Sequence, residues 1–370
     1  MRIVHTSDTH LGHQQYPRTD ANGLNQREAD LYASWMAVVR AAVQNPPDAF
    51  VHAGDLFDGV RPGNRALAAA MDGFLHLSRA GIPTVVIAGN HEHPKLRETG
   101  SPLRLFEHLP NLHVAYRGER ETTQVPTKSG PLRIHAVPQC ADNEELASQV
   151  ASAPTGGPGV DVLVVHGSIP SIPAFHHAEF NELTLDASWF KPFHYVALGH
   201  YHGAQKVVPN AWYCGAPDRV SIAEAGQEKG YLDVSLSGGQ AEATLLPIAT
   251  RPYIDLPPLD AEGLDASTVR RAAEEALHRV PAGAVCRLRL SNLDPSLRGS
   301  LDLRAIQKAG AHALQCEIKL EWSDAGVHVR GGSELGPLAQ EFEQFAARQP
   351  LAGLDRDRLL AKAKALLEAP

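Results

Sequence analysis

Short apolar runs recur through the first 250 residues, and each ends in a cluster of polar residues. Ile3-Val4, Phe50-Val51, Val85-Val86-Ile87, Val162 to Val165 and Tyr195-Val196 show no alternation with polar positions, so they predict strands buried on both faces of a sheet. Between them the period lengthens. Leu31, Trp35, Val38, Val39 and Ala42 share one helical face before Asn45-Pro46-Pro47 ends the element, and Leu67, Met71, Phe74 and Leu75 mark a second helix that stops at Gly81. Such alternation of strands with helical crossovers predicts an α/β fold. Residues 153–159, with two Pro and three Gly, read as a surface loop, and alternating runs around Ser237-Gly238-Gly239 predict a closing hairpin over 229–248.

A boundary is expected near Arg251, where Leu256-Pro257-Pro258 breaks the pattern. Beyond it the periodicity predicts a helix over 268–280, a strand over 285–290, a helix over 301–314 and a strand over 316–322. The last alternates strictly, turning Cys316, Ile318, Leu320 and Trp322 to one side. Residues 251–330 hold eleven Lys or Arg and eleven Asp or Glu, so this unit is no basic clamp. After Gly331-Gly332-Ser333, two amphipathic helices are expected, one carrying Leu335, Leu338, Phe342 and Phe345, the other Leu359, Leu360, Ala363, Leu366 and Leu367. The expected division is a catalytic unit over 1–250, a capping unit over 251–332 and a helical tail over 333–370. That tail either packs on its own chain or docks a partner.

Each apolar run leads into residues that bind metals: Asp8-Thr9-His10, Gly54-Asp55, Gly89-Asn90-His91, His166-Gly167 and Gly199-His200-Tyr201-His202. At the carboxyl ends of strands these would meet on one rim of a sheet. One such motif is commonplace; five in order read as a two-metal phosphoesterase site. Two divalent ions roughly 3.5 to 4 Å apart clamp a phosphate and neutralise charge on attacking and leaving oxygens. Asp55 is the candidate bridge, with Asp8, His10 and His202 completing one site and Asn90, His166 and His200 the other. Mixed imidazole and carboxylate donors suit manganese, iron or zinc, with manganese the single expectation. His91, next to a ligand, is placed to stabilise the transition state or protonate the leaving oxygen. Asp58 is expected to orient His91 and hold it protonated. His13 and Arg27 are candidates for substrate contact.

Composition narrows the reading little. Of nineteen histidines, five lie in the motifs, and apart from His13 the rest receive no role. A net charge of -8 argues against a protein that coats nucleic acid electrostatically, though local patches and bound metal can still hold a polyanion. The four cysteines form no Cys-x-x-Cys pair, no stretch is apolar enough to span a bilayer, and the amino terminus lacks a signal-peptide pattern, so a cytoplasmic protein with no membrane contact is expected.

Residues 3–12, Ala53-Gly54-Asp55-Leu56-Phe57-Asp58, Val196 to His202, and Tyr213-Cys214-Gly215-Ala216-Pro217 followed by Glu228-Lys229-Gly230 resemble the SbcD family of DNA repair nucleases, including its YhaO-like branch. That family lies within the calcineurin-like metallophosphoesterases. The resemblance is good over 1–250 and weak beyond. It implies a four-layer α/β sandwich with a small α/β capping domain and C-terminal helices. It also implies manganese-dependent hydrolysis of DNA phosphodiesters, as exonuclease on duplex ends and endonuclease on single strands. Asp8, His10, Asp55, Asn90, His166, His200 and His202 carry over as ligands and His91 as catalytic. A homodimer bound to an SbcC-like ATPase of the chromosome-maintenance type, gripped by a helical segment after the cap, is the implied assembly. Asp58 follows the bacterial pattern, where archaeal and eukaryotic relatives tend to carry His. Glu92 is shared with protein serine/threonine phosphatases, the alternative reading, but Gly59 stands where those enzymes usually place Arg. A small-molecule phosphodiesterase is a further alternative; a catalytically weak scaffold is disfavoured by the intact ligand set.

Overall fold

Strands without a polar face need cover on both sides, and two six-stranded sheets stacked between helices supply it. The computed structural model describes residues 1–94, 100–170, 172, 182–323, 342, 358 and 360–362. But for these few positions, the helices expected in the tail lie outside the described residues.

In the first sheet β1 (Arg2–Thr6), β2 (Ala49–His52), β3 (Thr84–Ile87) and β4 (Leu112–Ala115) run parallel, with α1 (Gln26–Gln44) and α2 (Asn64–Arg79) as the first two crossovers. Asn25 starts α1 by accepting from the Arg27 and Glu28 amides. The second sheet has the order β5 (Glu121–Thr127), β6 (Gly130–Val137), β7 (Val160–His166), β8 (Tyr195–Gly199), then β10 (Ala211–Tyr213) ahead of β9 (Gln205–Val208), with α3 (Asn143–Ala151) between β6 and β7. Its middle strands β6, β7, β8 and β10 are parallel. The expected hairpin is β11 (Gly230–Ser237) and β12 (Gln240–Pro247), and β11 returns antiparallel to β1 to complete the first sheet.

Alternation along each strand divides the core into three layers. Ile3, Val51, Val85 and Ile87 face Ile134, Val162, Val164 and Ala197 between the sheets. Their neighbours Val4, Phe50 and Val86 face outward, beneath Trp35 and Val38 of α1 and Phe74 of α2. On the far side Leu163, Val165, Val196 and Leu198 pack under Leu146 and Val150 of α3 and under Phe190. Both faces of every central strand are therefore dry, which is why the runs carry no polar period.

A third sheet follows, with a core of its own. β13 (Tyr253–Asp255) and β14 (Leu259–Asp260) pair with successive parts of one edge of β15 (Val285–Leu293), and β16 (Gln315–Trp322) pairs with the other edge. Helices α4 (Ala266–His278) and α5 (Leu303–Ala309) supply Val269, Leu277 and Ile306 to a cluster with Leu288 and Leu290. Cys316, Ile318, Leu320 and Trp322 pack against it, as their alternation predicts. The helix expected over 301–314 is shorter, because Asp302 caps it by accepting from the Ala305 amide and Gly310 ends it. Arg251 ties this sheet to α1 through both carboxylate oxygens of Asp30, at 2.6 and 2.9 Å, while also donating to the Gly283 carbonyl.

Two fully buried histidines place a pH limit on this fold. His5 meets the Tyr195 hydroxyl at 2.7 Å between the sheets, and His52 meets the Thr9 hydroxyl at 2.6 Å. Burial drives each from 6.5 down to about 3, against a small opposing pull from the Leu198 backbone on His5 and from Asp55 on His52. Between about pH 6.5 and 3 the unfolded chain therefore binds more protons than the folded one, and stability falls as pH falls. The slope is at most roughly 1.4 kcal/mol per pH unit for each histidine. Urea midpoints measured at pH 7 and pH 5 should separate clearly for the wild type and less for His5→Gln; equal shifts would exclude His5 as a source.

Candidate metal centre

The loops leaving β1, β2 and β3 in one sheet and β7 and β8 in the other meet at a common rim. Backbone bonds interlock them: the Asp8 amide donates to the Gly54 carbonyl at 3.0 Å, His10 to Asp55 at 3.1 Å and Leu11 to Leu56 at 2.8 Å. Bringing side chains inward this way requires unusual backbone. Asp8, His10, Asp55 and His200 have φ of 52°, 47°, 54° and 106°, and only three other described non-glycine residues are positive. Left-handed backbone in non-glycine residues costs of order 1 to 3 kcal/mol each and clusters at functional sites.

Two groups of ligand-type atoms result. Asp8, His10 and His202 bring one ligand atom each within 4.8 Å of one another, as do Asp55, His166 and His200. Asn90 joins the second group, its Oδ1 lying 3.0 Å from His166 Nε2 and 3.3 Å from His200 Nδ1. A third combination, His10, Asp55 and His91, bridges the two. All seven expected ligands and His91 thus share one rim.

The tautomers test whether a cation fits. His166 Nδ1 lies 2.8 Å from the Ala53 carbonyl, which only accepts, so Nδ1 carries a proton. His166 Nε2 then faces two oxygens, Asn90 Oδ1 and Asp55 Oδ2, the latter at 3.2 Å. Likewise His202 Nδ1 donates to Glu224 at 3.2 Å, while its Nε2 confronts His10 Nε2 at 3.1 Å. A lone pair against another lone pair is repulsive unless a proton or metal ion lies between them, so both groups suit a divalent cation. Without metal, protons fill the role: burial pushes His166 down, but the neighbouring Asp55 carboxylate outweighs it and raises the ring to about 9. Asp55 is correspondingly held below the usual carboxylate range, as His166 and His10 overcome its burial.

Two expectations need correction. His91 Nδ1 donates to the backbone carbonyl of Asp58 at 3.0 Å, whereas the Asp58 carboxylate turns to His13 at 3.1 Å and His10 at 3.5 Å. The expected carboxylate and histidine dyad is replaced by a carbonyl contact, because the tight loop after β2 directs the Asp58 main chain toward His91. His13 lies beside the centre through that contact. Arg27 is no substrate ligand. It is only 1% exposed, donates to Asp30, Asp218 and the Arg219 carbonyl, and lies 5.1 Å over the Tyr253 ring. Its place in the first turn of α1 points it under the third sheet rather than at the rim.

Glu92 has a structural task that the sequence reading left unassigned. Fully buried, it accepts from the amides of Asp55 at 3.2 Å, Phe57 at 2.7 Å and Gly89 at 2.9 Å, so one carboxylate joins the loops after β2 and β3. Burial and the nearby Asp55 charge push it up to about 8, with the Phe57 and Gly89 amides pulling the other way. Its position directly after Asn90-His91 was the available signal.

Comparison with known proteins agrees with this geometry. The family model for calcineurin-like phosphoesterases matches residues 1–209. The chain is similar to the DNA double-strand break repair protein Mre11 of Methanococcus maripaludis, with 28% identity over 62% of this chain and 60% of the relative. The Mre11 proteins of Sulfurisphaera tokodaii and Haloferax volcanii are each 30% identical, over 54% and 68% of this chain and 49% and 53% of theirs. The chain spans about half to three-fifths of the length of these relatives.

Proposed function

We propose that this chain, which belongs to the calcineurin-like phosphoesterase family, is a DNA nuclease that hydrolyses phosphodiester bonds at a two-metal centre during DNA repair. The observation that carries the reading is the pairing of two ligand groups, Asp8-His10-His202 and Asp55-His166-His200, on a shared rim beside Asn90 and His91. The Mre11 relatives, whose names describe double-strand break repair, direct it toward DNA. We assign Asp55 as the bridge, Asp8, His10 and His202 to one ion and Asn90, His166 and His200 to the other; these mixed donors suit manganese, iron or zinc, of which manganese is the one proposed. Bound there, the ions supply Lewis acidity to the phosphate and offset charge on its oxygens.

The chain's own residues do the rest. The carbonyl of Asp58 orients the His91 ring through Nδ1, and we assign the protonated ring to give its Nε2 proton to the departing oxygen. His13, beside Asp58, lines the approach. Duplex-end exonuclease and single-strand endonuclease action, a homodimer and an SbcC-like ATPase partner held by the tail complete the proposal. No helix among the described residues is long and apolar enough to cross a membrane; the setting we propose is cytoplasmic.

The test is digestion of end-labelled duplex and single-stranded DNA with manganese, magnesium or chelator, with a phosphopeptide and a small diester assayed alongside. Manganese-dependent DNA cleavage abolished by chelator is the expected result. Turnover of phosphopeptide or diester with DNA left intact would transfer the site to a protein phosphatase or small-molecule phosphoesterase.

A further inference from the structure

The candidate ligand His202 is held by bonds to both its ring and its backbone carbonyl. It comes from the loop after β8, and a segment distant from the other ligand motifs surrounds it. Glu224, buried beside the centre, receives the His202 Nδ1–H on Oε1 at 3.2 Å. The same oxygen accepts from the Val220 and Ser221 amides at 3.2 and 3.1 Å, and Ser221 completes a capping box with Glu224 on the short helical turn that presents it. Lys229, only 3% exposed, closes the arrangement from the other side. Its ammonium pairs with Glu224 Oε2 and donates to the His202 carbonyl at 2.7 Å and to Gln227 at 3.0 Å. The Ala216 amide gives that carbonyl a second bond at 3.1 Å, and Gly215 fits so closely that a Cβ there would lie 2.8 Å from it.

We infer that Glu224 and Lys229 are positioning residues for one metal site: Glu224 holds the His202 ring in the tautomer whose Nε2 lone pair faces Asp8 and His10, and Lys229 locks both Glu224 and the His202 backbone. The inference rests on the two-metal reading of the centre. A buried carboxylate taking the outer N–H of a ligating imidazole fixes the ring's rotation and raises its basicity. Glu224 makes that bond here and Lys229 balances its charge, so the carboxylate can stay ionised in a dry setting. The bonds of Asn90 and His166 run instead to each other, to the Ala53 carbonyl and to Asp55. The inference therefore predicts unequal effects on the two sites. It also gives a physical task to the Tyr213-Cys214-Gly215-Ala216-Pro217 and Glu228-Lys229-Gly230 segments, which carry no ligand.

The experiment is calorimetric titration of manganese into metal-free wild type, Glu224→Ala and Glu224→Gln. It is joined by nitrogen-15 NMR of the His202 ring without metal and by urea midpoints for all three. Wild type should bind two ions. Glu224→Ala should weaken one of them about 10- to 100-fold and leave the other within about threefold, and its His202 ring should lose the fixed Nδ1–H tautomer. Glu224→Gln, which keeps an acceptor, should retain that tautomer and lose about tenfold at the same site. Wild-type affinity at both sites in the Ala variant overturns the inference, as does equal weakening of both sites in step with lowered urea midpoints. Should Glu224→Ala not fold, wild-type affinity at both sites in Glu224→Gln overturns it equally. A wild type that binds no manganese brings down the two-metal reading itself, a failure distinct from indifference of the sites to Glu224.

Discussion

His91→Ala should slow phosphodiester cleavage by about 10²- to 10⁴-fold while leaving both manganese affinities unchanged, the pattern of a lost proton donor rather than a lost ligand. The geometry admits either role, since His91 shares a 4.8 Å cluster with His10 and Asp55. What favours the first is the use of Nδ1 to reach the Asp58 carbonyl, together with the two three-residue groups that form without His91. In the same assay Asp58→Asn should be mild, within about tenfold, because Asn retains the carbonyl that holds His91 and loses only the carboxylate that faces His13 and His10. Manganese titration alongside single-turnover cleavage separates the roles. A His91→Ala protein that loses one ion would make His91 a ligand and end its assignment as the donor.

The second large effect belongs to a residue with no side chain. Gly54, just before Asp55, has φ of +96°, and a Cβ built there lies 2.4 Å from Nδ1 of His166 and 2.9 Å from its Cγ. Alanine would incur about 1 kcal/mol or more of left-handed strain and 1 to 3 kcal/mol of overpacking, so Gly54→Ala should destabilise by about 2 to 4 kcal/mol. The alternative relief is rotation of the His166 ring, which breaks its bond to Ala53 and withdraws Nε2 from Asn90 and Asp55. Either way the protein suffers, in fold or in metal affinity. Urea denaturation and manganese titration of the purified variant would show which, and wild-type values in both would mean that the loop accommodates a Cβ without cost.

Much of this candidate site was legible because its candidate ligands lie at the ends of strands with no polar face. Two facts of local sequence, an apolar run and the polar residues that stop it, located Asp8, Asp55, Asn90, His166 and His200. The layers followed from the same runs, since Ile3 and Val4 can both be buried only if a sheet has cover on each side. What local sequence could not give was direction at a distance. Arg27 looks available in a first helical turn, and only the return of Asp218 and Tyr253 from about 200 residues away shows that it is enclosed. Asp58 was correctly placed beside His91, yet whether carbonyl or carboxylate makes the contact depends on a loop conformation that no residue pattern specifies. Glu224 and Lys229 were invisible as supports for a related reason: their meaning lies in His202, whose distance in sequence hides the bond.

The pairing of β1 with β11 has a consequence for synthesis. Arg2 aligns with Ser235 and His5 with Leu232, so the strand that leads to Asp8 gains its second edge only when residues beyond 230 are available. By residue 202 a growing chain already holds all seven candidate ligands, but it has neither that edge nor Lys229. Contacts of such long sequence separation form late, and domains complete as units once their chain has emerged. A translating ribosome therefore carries the full set of candidate ligand residues for some time before their groups can assemble, and hydrolytic capacity is expected with completion of the sandwich rather than with the last candidate ligand.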